Sequence, residues 1–537
     1  MIRSILLLFI CLQCLTGLSQ SRYWVQFSDK GDISVYCPAD LLSPKSLERR
    51  EKAGISIDQK DFPVNPAYRH ALVQLEVPIH TSSRWLNAVS VSAFPEDLKK
   101  IAALPFVKTI HPVWQGTTSA TDRCDPADDL DSYRQQLSMV NIDDLHANGF
   151  TGKGVTIAVL DNGFKGVDTL SALRHIFDPA PPVSKDFVET GTGVYGDCQG
   201  SCTHGTGVLS IIASRLPGEL AGSAPDATFI LVRTENDISE THQEEDNWLA
   251  GAEFADSLGA NIIVSSLSYQ KFDVGEGDYI SGDLDGNTAF VTIAADIAAS
   301  KGILVVNSAG NRGSQGISPP ADGDSVLAVG SVDQFGTLSS FSGVGPTADG
   351  RLKPDVVAIG ERAFYLRSNG SVRQGNGTSY SCPIVAGLAA CLMQGAEDNA
   401  TSMDIFQAIL ASGDKADRPN NRFGHGLPNG ITAYELLTGN KLREKPCTND
   451  LVMDPMKVYP VPANGEQVWI GIFNEAHAYT GTFEVIDATG RVVVLLEETI
   501  QPEYNTFALP TSLLPGFYMI RFTDLDGKTY LKKAILR

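Results

Sequence analysis

Near its start the chain carries an apolar-rich run, Tyr23, Trp24, Val25, Gln26 and Phe27, that suits a strand. Ser43 followed by Pro44 supplies a cap and a first-turn proline for a helix that Gly54 can close. Asn65 and Pro66 open a second helix, with Tyr68, Leu72 and Leu75 on one face. Trp85, Val89 and Val91 then stand at even spacing, as along a strand. Pro95, Glu96 and Asp97 begin a helix that turns Leu98, Ile101 and Ala102 inward, and 107–110 closes as a strand. This order predicts a small α+β unit of ferredoxin-like type over 20–113.

The pattern changes between 125 and 440. Short apolar runs at 155–160, 230–233, 262–267, 303–307 and 326–329 alternate with helical stretches. Strands that are apolar throughout, each separated by a helix, predict an α/β domain whose parallel sheet is buried on both faces. Functional side chains then belong at the carboxyl ends of those strands. A linker follows at 441–455. From 456 to 537 the pattern alternates at period two, with turns at Ala488, Thr489 and Gly490 and at Leu525, Asp526 and Gly527, which predicts a C-terminal β-sandwich.

A length of 537 residues fits about three to four domains, and 43% hydrophobic with 20% charged residues is the composition of a packed globular protein. The formal net charge is -21 and no run of five basic residues occurs, so a nucleic-acid partner is not expected. Arg3, the apolar run at 5–12 and the small residues around Gly17 and Ser19 read as an export signal over 1–19. No later stretch reaches the roughly 18 apolar residues of a membrane span, so none is expected. Of nine cysteines, Cys11 and Cys14 leave with the signal, and the remaining odd number implies an unpaired thiol or an intermolecular bridge. Cys382 and Cys391 read as buried packing residues.

Three contexts carry chemistry. Asp161 stands where the run at 155–160 ends, placed to hold an imidazole; alone, Asp161, Asn162 and Gly163 read as a turn. His204 lies at a glycine-rich helix start with Gly205 and Gly207; alone it reads as a helix-terminus residue. Ser379 opens an apolar helix through Ile384, Val385, Leu388 and Leu392; alone it reads as an N-cap. Their joint occurrence in the order Asp, His, Ser, one of the known orders of a serine triad, overrides the three plainer readings.

On these motifs the sequence resembles the subtilisin-like serine peptidases, the subtilases, over 135–433. The resemblance implies Ser379 as nucleophile, His204 as general base and Asp161 as the residue that orients the base. Val305, Val306, Asn307, Ser308, Ala309, Gly310 and Asn311 are similar to the family's oxyanion segment, which implies Asn311 as the side-chain donor. Ser266, Leu267 and Ser268 look like the strand that pairs with an extended substrate, and Ala309 and Gly310 join them as substrate-binding residues. The unit at 20–113 resembles the inhibitory propeptide of subtilases. The tail, through Val458, Tyr459 and Pro460 and through Gly516, Phe517 and Tyr518, resembles the sorting domain of proteins exported by the type IX secretion system of Bacteroidota.

Together these features predict a secreted or cell-surface serine endopeptidase, exported through the periplasm as a zymogen. Its expected partners are protein or peptide substrates and the secretion machinery, and it needs no cofactor. No metal site is expected, since Asp283, Leu284, Asp285, Gly286 and Asn287 have the glycine out of place for an EF-hand loop. Cys198 and Cys202 are expected to form a short disulfide bracing the loop before His204; a zinc site would need further ligands at finger-like spacing, and none follows. The alternative is a catalytically inactive surface-binding protein on the same fold, marked by loss of a triad or oxyanion residue, and all four are present. An esterase of the α/β-hydrolase type would show Gly-x-Ser-x-Gly and a different triad order, and shows neither.

Overall fold

The computed structural model describes residues 21–113, 133–442 apart from 190, 192, 197, 199, 217 and 218, and, in the tail, 456–459, 469–474, 479–500, 503–509, 513–523 and 529–536. The export signal at 1–19, nearly all of the segment between 113 and 135 and nearly all of the linker at 441–455 lie outside the described residues. The chain divides into two compact units, Met1–Arg443 and Glu444–Arg537.

In the first unit, strands β1 (Ser21–Phe27), β2 (Ile79–Ser83), β3 (Ala88–Ala93) and β4 (Val107–Pro112) form an antiparallel sheet in the order β2-β3-β1-β4. Helices α1 (Pro44–Lys52), α2 (Pro66–Gln74) and α3 (Pro95–Ala102) start at the three expected prolines. Ser43 Oγ accepts from the Ser46 amide and Asn65 Oδ1 from the Ala67 amide, which satisfies helix-start donors that would otherwise lack partners. Val25, Phe27, Leu72, Val89, Val91 and Ile101 make one buried core. One expectation shifts: Trp85 lies in the turn between β2 and β3, where Asn87 takes a positive φ of 50°. Strand β2, Ile79–Ser83, is a polar edge strand held by its ladder to β3 and has no apolar alternation to announce it.

The rest of this unit is built on seven parallel strands: β5 (Thr156–Asp161), β6 (Val183–Asp186), β7 (Thr228–Arg233), β8 (Ile262–Ser265), β9 (Leu304–Ser308), β10 (Val326–Val332) and β11 (Val356–Ile359). Their order is β11-β10-β9-β8-β5-β7-β6, with β5 and β8 near the middle. Successive side chains of β5 point to opposite faces. Ile157 and Val159 join the layer that holds Val208 and Ile212 of α4 (His204–Ala213) and Ile384, Val385 and Leu388 of α7 (Thr378–Ala396). Ala158 and Leu160 join the other layer, with Trp248 and Ala252 of α5 (His242–Leu258) and Val291 and Ala295 of α6 (Phe290–Ser300). Helix α7 is long and apolar enough to cross a membrane by length and composition, which the sequence reading did not anticipate, and it is mostly buried inside this domain.

The small domain docks on α5 and α6. Trp24 Nε1 donates to Asp246 at 2.8 Å and its ring stacks on Phe290, while Ser90 Oγ donates to Asp246 at 2.7 Å. Ser83 Oγ donates to Glu253 at 2.6 Å. Arg49, Arg50 and Arg84 all bond the buried carboxylate of Asp256, and Lys301 pairs with Asp58 and Asp61.

In the second unit, Met456–Tyr459, Trp469–Asn474 and Glu503–Ala508 form one antiparallel sheet. Val492–Ile500, Tyr479–Asp487, Gly516–Thr523 and Thr529–Leu536 form a second in that order. Phe483 stacks on Phe522, with ring centroids 4.7 Å apart, among buried Val485, Ile500 and Ile520.

Candidate active site

Asp161 is the last residue of β5, Asn311 lies three residues beyond β9, and Ser266 follows the end of β8, so the carboxyl edge of the sheet gathers the expected residues. Asp161 is fully buried, and its Oδ1 accepts from the Asn162 amide at 2.8 Å and pairs with His204 Nδ1 at 2.8 Å. That contact presents Nδ1 to the carboxylate and turns Nε2 away from it. His204 is the first residue of α4 and is about a third exposed. Gly205 allows this approach: a Cβ there would lie 2.5 Å from the Gly163 carbonyl oxygen and 2.9 Å from Asp161 Cβ.

Ser379 is the second residue of α7, and the capping position is Gly377. Its hydroxyl donates to the Ser266 carbonyl at 3.1 Å, and Ser266 Oγ donates back to the Ser379 carbonyl at 2.9 Å. The second bond follows from Pro383. Lacking an N–H, that proline cannot take up the carbonyl four residues earlier, and Ser266 supplies the missing donor. A proline inside the helix thereby ties the turn that carries Ser379 to the end of β8.

Asn311 is oriented from the same turn. Its Oδ1 accepts from the Thr378 amide at 2.9 Å and from Thr378 Oγ1 at 3.0 Å, which fixes which side-chain atom is oxygen and leaves Nδ2 as the donor. A Cβ on Gly377 would stand 3.6 Å from that Nδ2, and the glycine keeps the space beside it open.

Strand β8 stops at Ser265, two residues short of the expected 262–267. The physical reason is that the next two carbonyls bond side chains in place of a ladder: Ser266 with Ser379 Oγ, Leu267 with Asn307 Nδ2 at 3.0 Å. Ser266 is buried, Leu267 half-buried and Ser268 exposed. Ala309 and Gly310 are buried, and Gly310 takes a φ of 94° where a Cβ would meet Ser318 Oγ at 2.5 Å.

Cys198 and Cys202 are joined as a disulfide with Cα atoms 6.3 Å apart, directly ahead of His204. Cys382 and Cys391 are free and buried, and burial pushes the Cys382 thiol up to about 12. Among the described residues, Glu235, Glu240 and Glu244 bring carboxylate oxygens close together, a cluster the sequence did not signal. Burial raises all three carboxyl groups well above their ordinary range.

With this geometry in view, the comparisons with known proteins are specific. The Subtilase family model matches residues 152–426, over half of the chain. Models of the Peptidase S8 propeptide domain of Bacteroidota and of the secretion system C-terminal sorting domain match 22–125 and 457–537. Serine protease AprX of Bacillus subtilis (strain 168) is 31% identical over 304 residues, 52% of this chain and 66% of that protein. Subtilisin NAT of Bacillus subtilis subsp. natto is 30% identical over 262 residues, 48% of this chain and 60% of that protein. The chain thus spans less than two thirds of the length of these curated relatives. A crystal structure of the epidermin leader peptide processing serine protease of Staphylococcus aureus shares the fold, with a TM-score of 0.54 over 79% of this chain and 100% of that one at 18% identity. The chain belongs to the Subtilase family.

Proposed function

We propose that this chain is a serine endopeptidase, made as a precursor and exported to the cell surface or beyond, with Asp161, His204 and Ser379 as its triad. The observation that carries the reading is the 2.8 Å contact of His204 Nδ1 with the buried Asp161 carboxylate, while Ser379 is bonded to Ser266 just past β8, the strand paired with β5. A serine hydroxyl is a weak nucleophile until a base takes its proton, and His204 Nε2 is that base. Asp161 fixes the tautomer and stabilises the imidazolium that forms. For attack, the Ser379 hydroxyl exchanges the Ser266 carbonyl for the imidazole and bonds the scissile carbonyl carbon. Charge on the carbonyl oxygen is met by Asn311 Nδ2 and the Ser379 amide. The amine leaves with the proton from His204, and water hydrolyses the acyl-enzyme by the same route in reverse.

Ser266, Leu267, Ser268, Ala309 and Gly310 are proposed to hold the extended substrate. The match of 22–125 to a propeptide and of 457–537 to a sorting domain supports a zymogen that engages a secretion machinery through its tail. Ser379→Ala tests the reading: cleavage of casein is expected to vanish with the fold intact, because the triad acts as a unit. Turnover above a mock preparation would overturn it.

A further inference from the structure

The two segments that carry Asp161 and His204 share one more partner, which neither motif contains. Asn162, the residue after Asp161, donates through Nδ2 to Oδ1 of Asp237 at 2.5 Å. The other carboxylate oxygen of Asp237 accepts from the Ser201 and Cys202 amides at 2.5 and 2.6 Å and from Ser201 Oγ at 2.8 Å. Cys202 lies two residues ahead of His204. One carboxylate therefore joins the turn after the buried aspartate to the loop before the histidine. Asn162 extends the link, since its Oδ1 accepts from the Gly205 amide at 3.3 Å.

The loop is shaped around this carboxylate. Gly200 has a φ of 108°, and a Cβ there would stand 2.2 Å from Asp237 Cβ, so a side chain at this position would push the loop off. Cys202 takes a φ of 50°, uncommon for a residue with a side chain, and the bridge to Cys198 closes the loop from its other end. Burial alone would raise the Asp237 carboxyl, but the Cys202 and Ser201 donors and the Asn162 amide outweigh it and hold the group below its ordinary range. The Asp161 backbone is held in β5, but its carboxylate has few hydrogen bonds: Oδ1 has its two contacts, and Oδ2 is buried with no partner among the described residues. The register of carboxylate to imidazole is then set by how the two loops are held to each other.

We propose that Asp237 is a positioning residue that clamps the Asp161 turn to the His204 loop and so sets the geometry of general-base catalysis. The proposal rests on the triad reading above. It makes the short disulfide and Gly200 parts of the same device.

Asp237→Asn keeps the size but sets an amide NH₂ against either Asn162 or the Ser201 and Cys202 amides, so one arm must break. On a peptide substrate, at a pH where His204 is neutral, kcat is expected to fall about 10–100-fold with KM changed little, the cost of a sub-ångström to ångström misplacement. Asn162→Ala is expected to lower kcat as well, and the double variant to be no worse than the poorer single, because both act through one link. Hydrogen exchange at the Ser201 and Cys202 amides is expected to speed up while the central strands stay protected. A folded Asp237→Asn enzyme with kcat within about twofold of wild type, fully additive losses, or a fall in kcat that tracks loss of folded protein would each overturn the clamp. Retained turnover in Ser379→Ala would instead overturn the triad reading, whatever Asp237 does.

Discussion

Two buried aspartates in the same domain, Asp161 and Asp256, are treated in opposite ways. Asp256, on α5, has both oxygens saturated: Arg50 bonds them at 2.9 and 2.7 Å, Arg84 adds a bond at 2.7 Å and Arg49 a further one, all three arginines coming from the small N-terminal domain. Asp161 has one oxygen shared by an amide and an imidazole and one left without a partner among the described residues. The first arrangement converts desolvated charge into a fixed joint, since each charge removed from water is met by several opposed donors. The second leaves one carboxylate oxygen without a hydrogen bond among the described residues, which suits the role proposed for Asp161 of stabilising an imidazolium on His204. Saturation holds parts together, and incomplete saturation leaves something for chemistry.

The comparison can be broken at either end. Asp161→Asn should lower kcat about 10⁴-fold, as the same change does in another serine peptidase, while melting temperature moves little; comparable activity would remove Asp161 from the triad. Asp256→Ala should do the reverse. It removes the carboxylate that three arginines share, leaving Arg50 only Asp61 and Arg84 only Glu253 as acidic partners among the described residues, and should destabilise the Ser379→Ala precursor by about 3–5 kcal/mol, read from denaturant unfolding. In an otherwise wild-type chain, turnover per active site should be unchanged. An unaltered unfolding midpoint would show that the arginines hold nothing. Asn311→Ala should lower kcat about 10²–10³-fold with KM nearly constant, the cost of one oxyanion donor; an effect on KM alone would contradict that role.

The smallest expected effect concerns pH. Asp246 lies beneath Trp24, Ser90 and Arg22, with Glu245 beside it, and burial lifts its carboxyl to about 6 from an ordinary 3.8. A carboxyl raised in the docked state favours that state when protonated. Its contribution is fully present below 3.8 and is lost as pH rises through about 6. Glu253, under Ser83 and Arg84, is raised by burial and acts in the same sense. The melting temperature of the Ser379→Ala precursor should therefore fall by a few degrees from about pH 4 to about pH 7 relative to an added Asp246→Asn change. Identical slopes in the two proteins would exclude Asp246 as the source.

The stretches around Asp161, His204 and Ser379 could be read from the chain because each is local: an apolar strand with its terminal residue, a helix start rich in glycine, a helix start followed by proline. The same locality gave the helices at Pro44, Pro66 and Pro95 and five of the apolar strands of the parallel sheet, but not β11, Val356–Ile359, a run of only four buried residues. Strand β2, Ile79–Ser83, and strand β6, Val183–Asp186, escaped that reading, since polar edge strands are held by a neighbour's ladder and carry no apolar period.

What only the tertiary structure decided are contacts between residues far apart in sequence. Trp24 meets Asp246 across 222 positions, Ser266 meets Ser379 across 113 and Ser201 meets Asp237 across 36. No periodicity encodes such pairings, because the hydrogen-bonding capacity of a serine or aspartate is the same wherever it stands. Its partner is chosen only when the packed sheet and helices remove water and leave one donor within reach. The chain thus determined which residues could do chemistry, and the fold determined what holds them in register.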